Sequence, residues 1–318
     1  MKKQFINGIE SGDALHDVFT LAEKNLLRKK DGNKYLDVML SDKTGSIRGV
    51  AWDNVDEICA VASSRDIVLV KGIVSEYRGN LQVVINAMEA AGKTDPTDFI
   101  PKTDKDIDAM FARLKKVVAS IKTIHFQKLF KAFWDDKEFV SGFTTAPAAK
   151  KMHHAYIGGL LEHTLSVALL AEKIGGHYGG VNYDLLLTGA ALHDIGKIEE
   201  FDFVSSIDYS DKGRLINHIL IGCEMIDQKI NQIKDFPKQD ALVLRHLIVS
   251  HHGSREFGSP EPPKTLEAVL LNNIDDMDAK MNGIRDFIMK QDPKESWTPY
   301  HRLLERHFYT GKQKFQTE

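Results

Sequence analysis

Of the 13 histidines in this 318-residue chain, nine fall between positions 153 and 252. A lone histidine on a helix is usually a core or surface residue, so only those in chemically suggestive company are candidates for function. The pair His193-Asp194 follows the almost wholly apolar run Leu185-Leu186-Leu187-Thr188-Gly189-Ala190-Ala191-Leu192 and precedes Ile195-Gly196-Lys197, which puts it at the edge of a core. Helical neighbours point ~100° apart, so for both to act they must converge on something held between helices. A divalent cation accepts ligands from such an arc. His163 stands near the head of another apolar helix, GGLLEHTLSVALL, and Asp275 follows the run VLLNNI, with Asp276 as the alternative if the register is off by one. His218 lies in GRLINHILIG, and His251-His252 closes LVLRHLIVSHHG, where Gly253 is a suitable helix C-cap.

Imidazoles and carboxylates gathered from several helices form a mixed N/O donor set. It suits Mn, Fe, Ni, Co or Zn, whereas Mg prefers oxygen ligands throughout. Two such ions lower the pKa of a shared water and clamp the attacking and leaving oxygens of an in-line displacement at phosphorus. The expected nucleophile is therefore hydroxide, and no serine or cysteine stands in an activated context. Lys197, three residues beyond Asp194, either pairs with a non-bridging phosphate oxygen or serves as a favourable cation at a helix C-terminus.

Composition narrows the setting for this chemistry. Cys59 and Cys223 are the only cysteines and have no CxxC neighbour, which excludes a disulfide framework. No apolar run approaches the ~20 residues that span a bilayer, and MKKQFINGIESGDALHDV lacks the apolar stretch of a signal peptide. The expectation is a cytoplasmic protein with no membrane partner. The net charge of -3 conceals an asymmetry: residues 1–95 carry 13 Lys+Arg against 14 Asp+Glu, residues 96–151 carry 11 against 7, and residues 152–318 carry 18 against 24. An acidic half is a poor partner for a polyanion unless bound cations alter the local field, which again favours metal there.

The elements that must position these residues differ between the two halves. From about residue 16 to 90 short alternating runs are broken by turn residues, as in Leu36, Val38 and Leu40 before Asp42-Lys43-Thr44-Gly45. A second hairpin joins Asp66-to-Val74 with Leu81-to-Ala87 across Arg78-Gly79-Asn80, with Gly79 and Asn80 expected to take positive φ. Five strands in so short a stretch suit a small closed barrel of the OB type. GKTDPTDFIPKTD reads as a linker, and beyond it Ile107, Met110, Phe111, Leu114 and Val118 recur at helical spacing. The expected organisation is a barrel over 1–95, a linker and basic helical segment over 96–151, and an all-α bundle over 152–318. The stretch from Trp297 to Phe315 covers either the core or a neighbouring subunit, so a homo-oligomer is among the expectations.

His163, His193-Asp194 and Asp275, in this order, resemble the H…HD…D signature of the HD phosphohydrolase superfamily, an all-α fold binding one or two divalent metals. His218 and His251 resemble the subset with a second metal. The strings SDKTGSIRGVAWD, YRGNLQ, ALHDIGKI, GRLINHI, SHHGSREFGSPEPP and IDDMDAKMN resemble the YhaM-type 3'-to-5' exoribonucleases, which join an N-terminal OB domain to an HD domain. The resemblance covers nearly the whole chain. It implies that His163, His193, Asp194 and Asp275 hold one ion, that Asp194 bridges, and that His218 and His251 complete a second site, with manganese first among the metals. It also implies single-stranded RNA as substrate, single-stranded DNA as a further one, and nucleoside 5'-monophosphates as products.

The barrel is expected to hold the strand with Tyr35, Trp52 and Tyr77 stacking on bases and Arg48, Lys71 and Arg78 along the backbone, unless Tyr35 and Trp52 simply plug the barrel. The cations of the basic middle segment, Arg113, Lys115, Lys116, Lys122 and Lys128, either add to the field or are merely solvated. His153, His154, Arg214 and His252 are further substrate-contact candidates. Two rival readings remain: an HD phosphodiesterase acting on a small nucleotide, and a single-stranded DNA-binding protein with a structural HD domain.

Overall fold

The computed structural model describes residues 2–150, 154–291 and 295–311. Strands β1 (Ala14–Arg28), β2 (Lys34–Asp42), β3 (Gly45–Ala51), β4 (Ile67–Tyr77) and β5 (Asn80–Ala90) form a closed barrel in the order β1-β2-β3-β5-β4. The alternation read from the sequence is the cause. Leu36, Val38 and Leu40 point inward and are buried, as are Val68, Val70, Val74, Val83 and Ile85, whereas the residues between them face out. The barrel closes where β3 runs parallel to β5; all other pairs are antiparallel. A short helix not expected from the sequence, α1 (Val55–Ala60), packs Val55 and Ile58 into the barrel core.

The β4–β5 turn corrects one expectation. Positive φ falls on Arg78 (53°) and Gly79 (79°), while Asn80 already pairs with Tyr77 in the ladder. Two successive left-handed residues make the tight hairpin that matches strand twist, and placing it one residue earlier keeps Leu81 and Val83 in register.

The second half is helical: α2 (Ile107–Val118), α3 (Ile124–Trp134), α4 (Lys137–Thr145), α5 (Gly159–Gly175), α6 (Tyr183–Leu192), α7 (Lys197–Glu200), α8 (Asp211–Ile230), α9 (Lys238–Ser250) and α10 (Leu266–Met289). A two-stranded hairpin, β6 (Phe201–Asp202) with β7 (Asp208–Tyr209), interrupts it between α7 and α8. Every residue of α6 from Leu185 to Leu192 is buried; a helix apolar all round must lie inside, and the others pack about it.

The segment 96–151 is more than a linker with basic helices. Met110, Leu114 and Val117 of α2, Phe126, Leu129 and Phe133 of α3, and Phe139 and Phe143 of α4 belong to the same core as Leu160 and Leu186. Its cations Arg113, Lys115, Lys116 and Lys128 lie on the exposed faces of these helices, and Lys122 is exposed in the connection between α2 and α3. No helix among the described residues is long and apolar enough to cross a membrane.

The barrel is docked on the helical domain. Phe99, Ile100 and Ile157 form a small apolar cluster with Val18 and Ile67 of the barrel and with Phe203 and Ile207 of the β6–β7 loop. Thr20 Oγ1 donates to the Ser205 carbonyl at 2.7 Å. Asp208 gathers Lys150 at 2.6 Å, Arg214 at 3.2 Å and the barrel's Arg65.

Candidate metal centre

Local breaks in the helices put the histidines and carboxylates in place. His163 is the fifth residue of α5 and is buried. α6 ends at Leu192, so His193 is its C-cap and Asp194 lies in the turn beyond; leaving the helix lets two neighbours in sequence face one centre. Asn217 interrupts α8 with non-helical φ 53° and ψ 170°, its side chain accepting from the Ile219 N–H at 2.9 Å. The next residue is His218. α9 ends at Ser250, and His251-His252 occupy the turn that Gly253 closes at φ 79°. Asp275 and Asp278 lie one helical turn apart on α10.

These residues meet. His163 Nε2 lies 3.2 Å from His193 Nε2, 3.1 Å from Asp275 Oδ1 and 3.4 Å from Asp194 Oδ2. On its other side Asp194 presents Oδ1 to His218 Nε2 and His251 Nε2, each at 3.6 Å. One carboxylate therefore faces two groups of imidazoles with separate oxygens, and Asp194 is itself fully buried. Asp275 points into the centre, whereas Asp276 is exposed and pairs with Lys280 at 2.6 Å. His252 joins His218 and His251, the three forming a cluster close enough to share an ion. His163, His193 and Asp275 form another such cluster.

Each imidazole is turned by its other nitrogen. Nδ1 of His163 pairs with Asp278 at 2.9 Å and that of His218 with Glu200 at 2.8 Å. His193 uses the Ala190 carbonyl at 2.9 Å, His251 that of Ile248 at 2.7 Å, and His252 that of Phe257 at 2.9 Å. Five rings thus turn Nε2 toward the centre, the arrangement by which outer partners orient metal-binding histidines. Buried polar atoms nearly always have hydrogen-bond partners, yet Asp194 Oδ1, His218 Nε2 and His251 Nε2 have none. They converge on one another, and a cation between them would satisfy all three. The donor set is nitrogen and carboxylate oxygen, so the residues fit a divalent transition metal.

The electrostatics agree. Burial opposes a charge on His163, but the Asp194, Asp275 and Asp278 carboxylates outweigh it and hold its pKa well above the usual value. Against the same burial, Asp194 and Asp275 raise His193 to about 9. Asp194 and Asp275 stay far below the ordinary carboxylate range despite burial, because Lys197 and the histidines face them. Burial lowers His218 and His251, and burial with the neighbouring His251 brings His252 to about 4. The carboxylates therefore demand positive charge, which protons supply at His163 and His193 and which a metal ion would supply by displacing them. Lys197 contributes as well, its ammonium 2.6 Å from Asp194 Oδ2.

The centre lies at the floor of a cleft of about 1040 Å³ whose lining includes His163, Lys197, His218, His251, His252 and Asp275. Two of the substrate-contact candidates are placed elsewhere. His154 is buried behind His163, with Nδ1 2.8 Å from the Tyr156 hydroxyl and Nε2 3.6 Å from Asp278, so it supports the centre from outside the cleft. Arg214 belongs to the Asp208 cluster at the barrel junction. His153 lies outside the described residues.

On the barrel, Tyr35 and Trp52 do not plug the interior. Trp52 is 41% exposed, its ring stacks on Tyr35 at 5.1 Å, and Lys29 Nζ lies 4.8 Å above it. Tyr77 is exposed with the Arg78 guanidinium 5.2 Å from its ring. Arg48 is paired with Asp37 and Lys71 with Glu89. Glu200 and Asp278, which orient His218 and His163, were not expected from the sequence; only Asp278, one turn beyond Asp275, left a readable signal.

Comparison with known proteins agrees with both halves. Residues 160–280 match the HD domain family, and residues 23–91 match the OB-fold nucleic acid binding domain family. The chain is 33% identical over 282 residues to a 3'-5' exoribonuclease YhaM of Geobacillus sp. (strain WCH70), covering 88% of this chain and 86% of that one. It is 31% identical over 301 residues to the protein of that name from Oceanobacillus iheyensis, covering 94% of each. Among solved structures, the second OB-fold domain of replication protein A from Methanococcus maripaludis is 23% identical and covers 30% of this chain and 99% of that domain, with a TM-score of 0.24. With an OB-type barrel ahead of an HD domain and relatives at this identity along most of its length, the chain belongs to the YhaM-type 3'-to-5' exoribonuclease family.

Proposed function

We propose that this protein is a cytoplasmic, metal-dependent 3'-to-5' exoribonuclease that releases nucleoside 5'-monophosphates and also acts on single-stranded DNA. The observation that carries the reading is Asp194, fully buried, with one oxygen toward His163 and His193 and the other toward the unpartnered Nε2 atoms of His218 and His251. His163, His193, Asp194 and Asp275 would hold one ion, and Asp194, His218 and His251, with His252 beside them, a second. The family resemblance puts manganese first, with Co, Fe, Ni, Zn and Mg as alternatives, and the mixed nitrogen and oxygen donors accommodate a divalent transition metal. When bound, such ions supply Lewis acidity and lower the pKa of water at neutral pH.

The chain's own residues supply the rest. Glu200 and Asp278 hold Nδ1 of His218 and His163, so that each ring turns its Nε2 toward the centre. Lys197, on the cleft wall, is the cation nearest the bridging carboxylate and is positioned to pair with a non-bridging phosphate oxygen. The stacked Tyr35 and Trp52 with Lys29 offer a strand-holding surface on the barrel, at strands β2 and β3 where OB domains take nucleic acid.

Product analysis tests the proposal. Purified protein with Mn²⁺ and single-stranded RNA is expected to release nucleoside 5'-monophosphates, and EDTA is expected to stop the release. Cleavage confined to cyclic dinucleotides, with RNA left intact, would overturn it in favour of a small-nucleotide phosphodiesterase.

A further inference from the structure

The metal ligands account for the floor of the cleft but not for its walls. One wall comes from the turn after α9, where Phe257 is 74% exposed. Its carbonyl accepts from His252 Nδ1 at 2.9 Å, so the backbone that carries the ring is tied to the centre through a single residue. Another wall comes from the loop 295–311, pinched by bridges Trp297–Tyr309 and His301–Arg306 and seated on α10 through the His301 ring, 4.6 Å from that of Phe287. This loop brings Leu303, 65% exposed, and Arg306 to the cleft.

The charges on these walls are unequal. Lys150, Lys197 and Lys280 each line the cleft and are each paired with a carboxylate, Asp208, Asp194 and Asp276 respectively. Arg306 is exposed, and its side chain donates from Nε to the Leu304 carbonyl at 2.8 Å; among the described residues no carboxylate pairs with it. On α10, Gly283 lines the cleft with open space where a side chain would stand. The volume of about 1040 Å³ matches the upper end of sites that enclose one small ligand, roughly 300–1,000 Å³, so it takes the end of a strand and not its length.

Two exposed apolar side chains and a guanidinium that no carboxylate among the described residues pairs, above a centre built for phosphate, match a flat base attached to a phosphate. We propose that Phe257 and Leu303 form the subsite for the terminal base of the strand and that Arg306 pairs with the backbone phosphate beside it. The proposal rests on the exonuclease reading and adds where the terminal nucleotide is gripped. An aromatic face accepts any base, so the subsite grips without selecting sequence.

The test uses full-length, Mn²⁺-loaded protein and two oligoribonucleotides that differ only in a base-bearing or an abasic 3'-terminal residue. For each, KM is measured in turnover, and Kd by fluorescence anisotropy on a 3'-phosphorothioate version. Loss of the terminal base is expected to raise both constants about tenfold in the wild type, as one stacking contact does. Phe257→Ala is expected to bring that ratio close to one, Leu303→Ala to reduce it, and Phe257→Trp to restore it. Arg306→Ala is expected to weaken both strands equally and flatten the salt dependence. Mn²⁺ stoichiometry should stay at the wild-type value in all four, which separates the subsite from damage to the centre. A base/abasic ratio that survives in both Phe257→Ala and Leu303→Ala overturns the subsite even if RNA is cut. Binding without cleavage by the wild type would overturn the nuclease reading instead, while the anisotropy ratio would still decide the subsite.

Discussion

Gly196, in the turn between Asp194 and α7, offers a sharp physical test of how the centre is assembled. Its φ of -63° and ψ of -17° are open to any residue, so alanine there costs nothing in backbone conformation. A Cβ at this position, however, would sit 2.0 Å from the His218 carbonyl oxygen and 2.6 Å from the Gly222 nitrogen. Both atoms are backbone and cannot rotate away, so α8 must retreat by about 1 Å or more to restore ordinary contact. Overpacking of this kind costs about 1–3 kcal/mol, which lowers the melting temperature of a domain this size by about 3–10 °C. Because His218 moves with its carbonyl, its Nε2 loses its bearing on Asp194, and a displacement of that size typically costs about 100-fold in rate. Gly176→Ala is the matched control, since Gly176 also has right-handed helical φ and ψ and nothing lies within 4 Å of its Cβ. Thermal unfolding with and without Mn²⁺, bound Mn²⁺ per chain, and RNA turnover are read for both variants. Gly176→Ala should match the wild type. If Gly196→Ala matches it too, the claim that the α7–α8 contact sets the second half of the centre is wrong.

Three further outcomes follow from the geometry. Glu200→Gln removes the charge that orients His218 Nδ1 and should weaken Mn²⁺ binding about 10–100-fold, read by calorimetric titration; an unchanged affinity would show that Glu200 does not act through His218. Trp52→Ala should raise KM for a long single strand by about tenfold, as loss of one stacked base does, while leaving a dinucleotide unaffected; equal effects on both would place Trp52 outside the strand path. Burial pushes Asp208 up, but Lys150, the Tyr209 N–H and Arg65 outweigh it and hold its pKa below the ordinary 3.8. A depressed carboxylate contributes stability above its unfolded pKa and loses it as pH falls through the folded one. The melting-temperature gap between wild type and Asp208→Asn should therefore be full at neutral pH and close only below about pH 4; a gap independent of pH would mean that the charge plays no part.

How much of this was legible in the sequence follows from the kind of order each part has. The barrel strands announce themselves because inward and outward residues alternate, whereas the closed order β1-β2-β3-β5-β4 depends on the crossover through residues 52–66 that carries β4 to the far side of β1, which alternation does not specify. Helix α1 did not, since Val55–Ala60 is six residues long and too short to show a period. Arg78 in the left-handed region was missed because glycine and asparagine are the usual occupants. Within the site, His193-Asp194 stood out by following a run of apolar residues, and Asp275 by its place after another. What places His218 is a break inside α8 at Asn217, a tertiary effect with no periodic signature. Glu200 reaches His218 from a different helix, and Arg306 reaches the cleft from the far end of the chain. His154 and Arg214 were drawn into the substrate set by residue type alone, and packing assigns them to support and to the barrel junction.

The most direct test of the central claim uses RNA labelled at its 5' end, incubated with Mn²⁺, with EDTA, and with an Asp194→Asn variant that keeps the shape of the side chain but removes its charge. The account predicts a ladder shortening from the 3' end with Mn²⁺ alone, abolished by EDTA and reduced by at least about 1,000-fold in the variant, as loss of a central catalytic group does. Undiminished cleavage by Asp194→Asn, or a ladder that persists in EDTA, would contradict it.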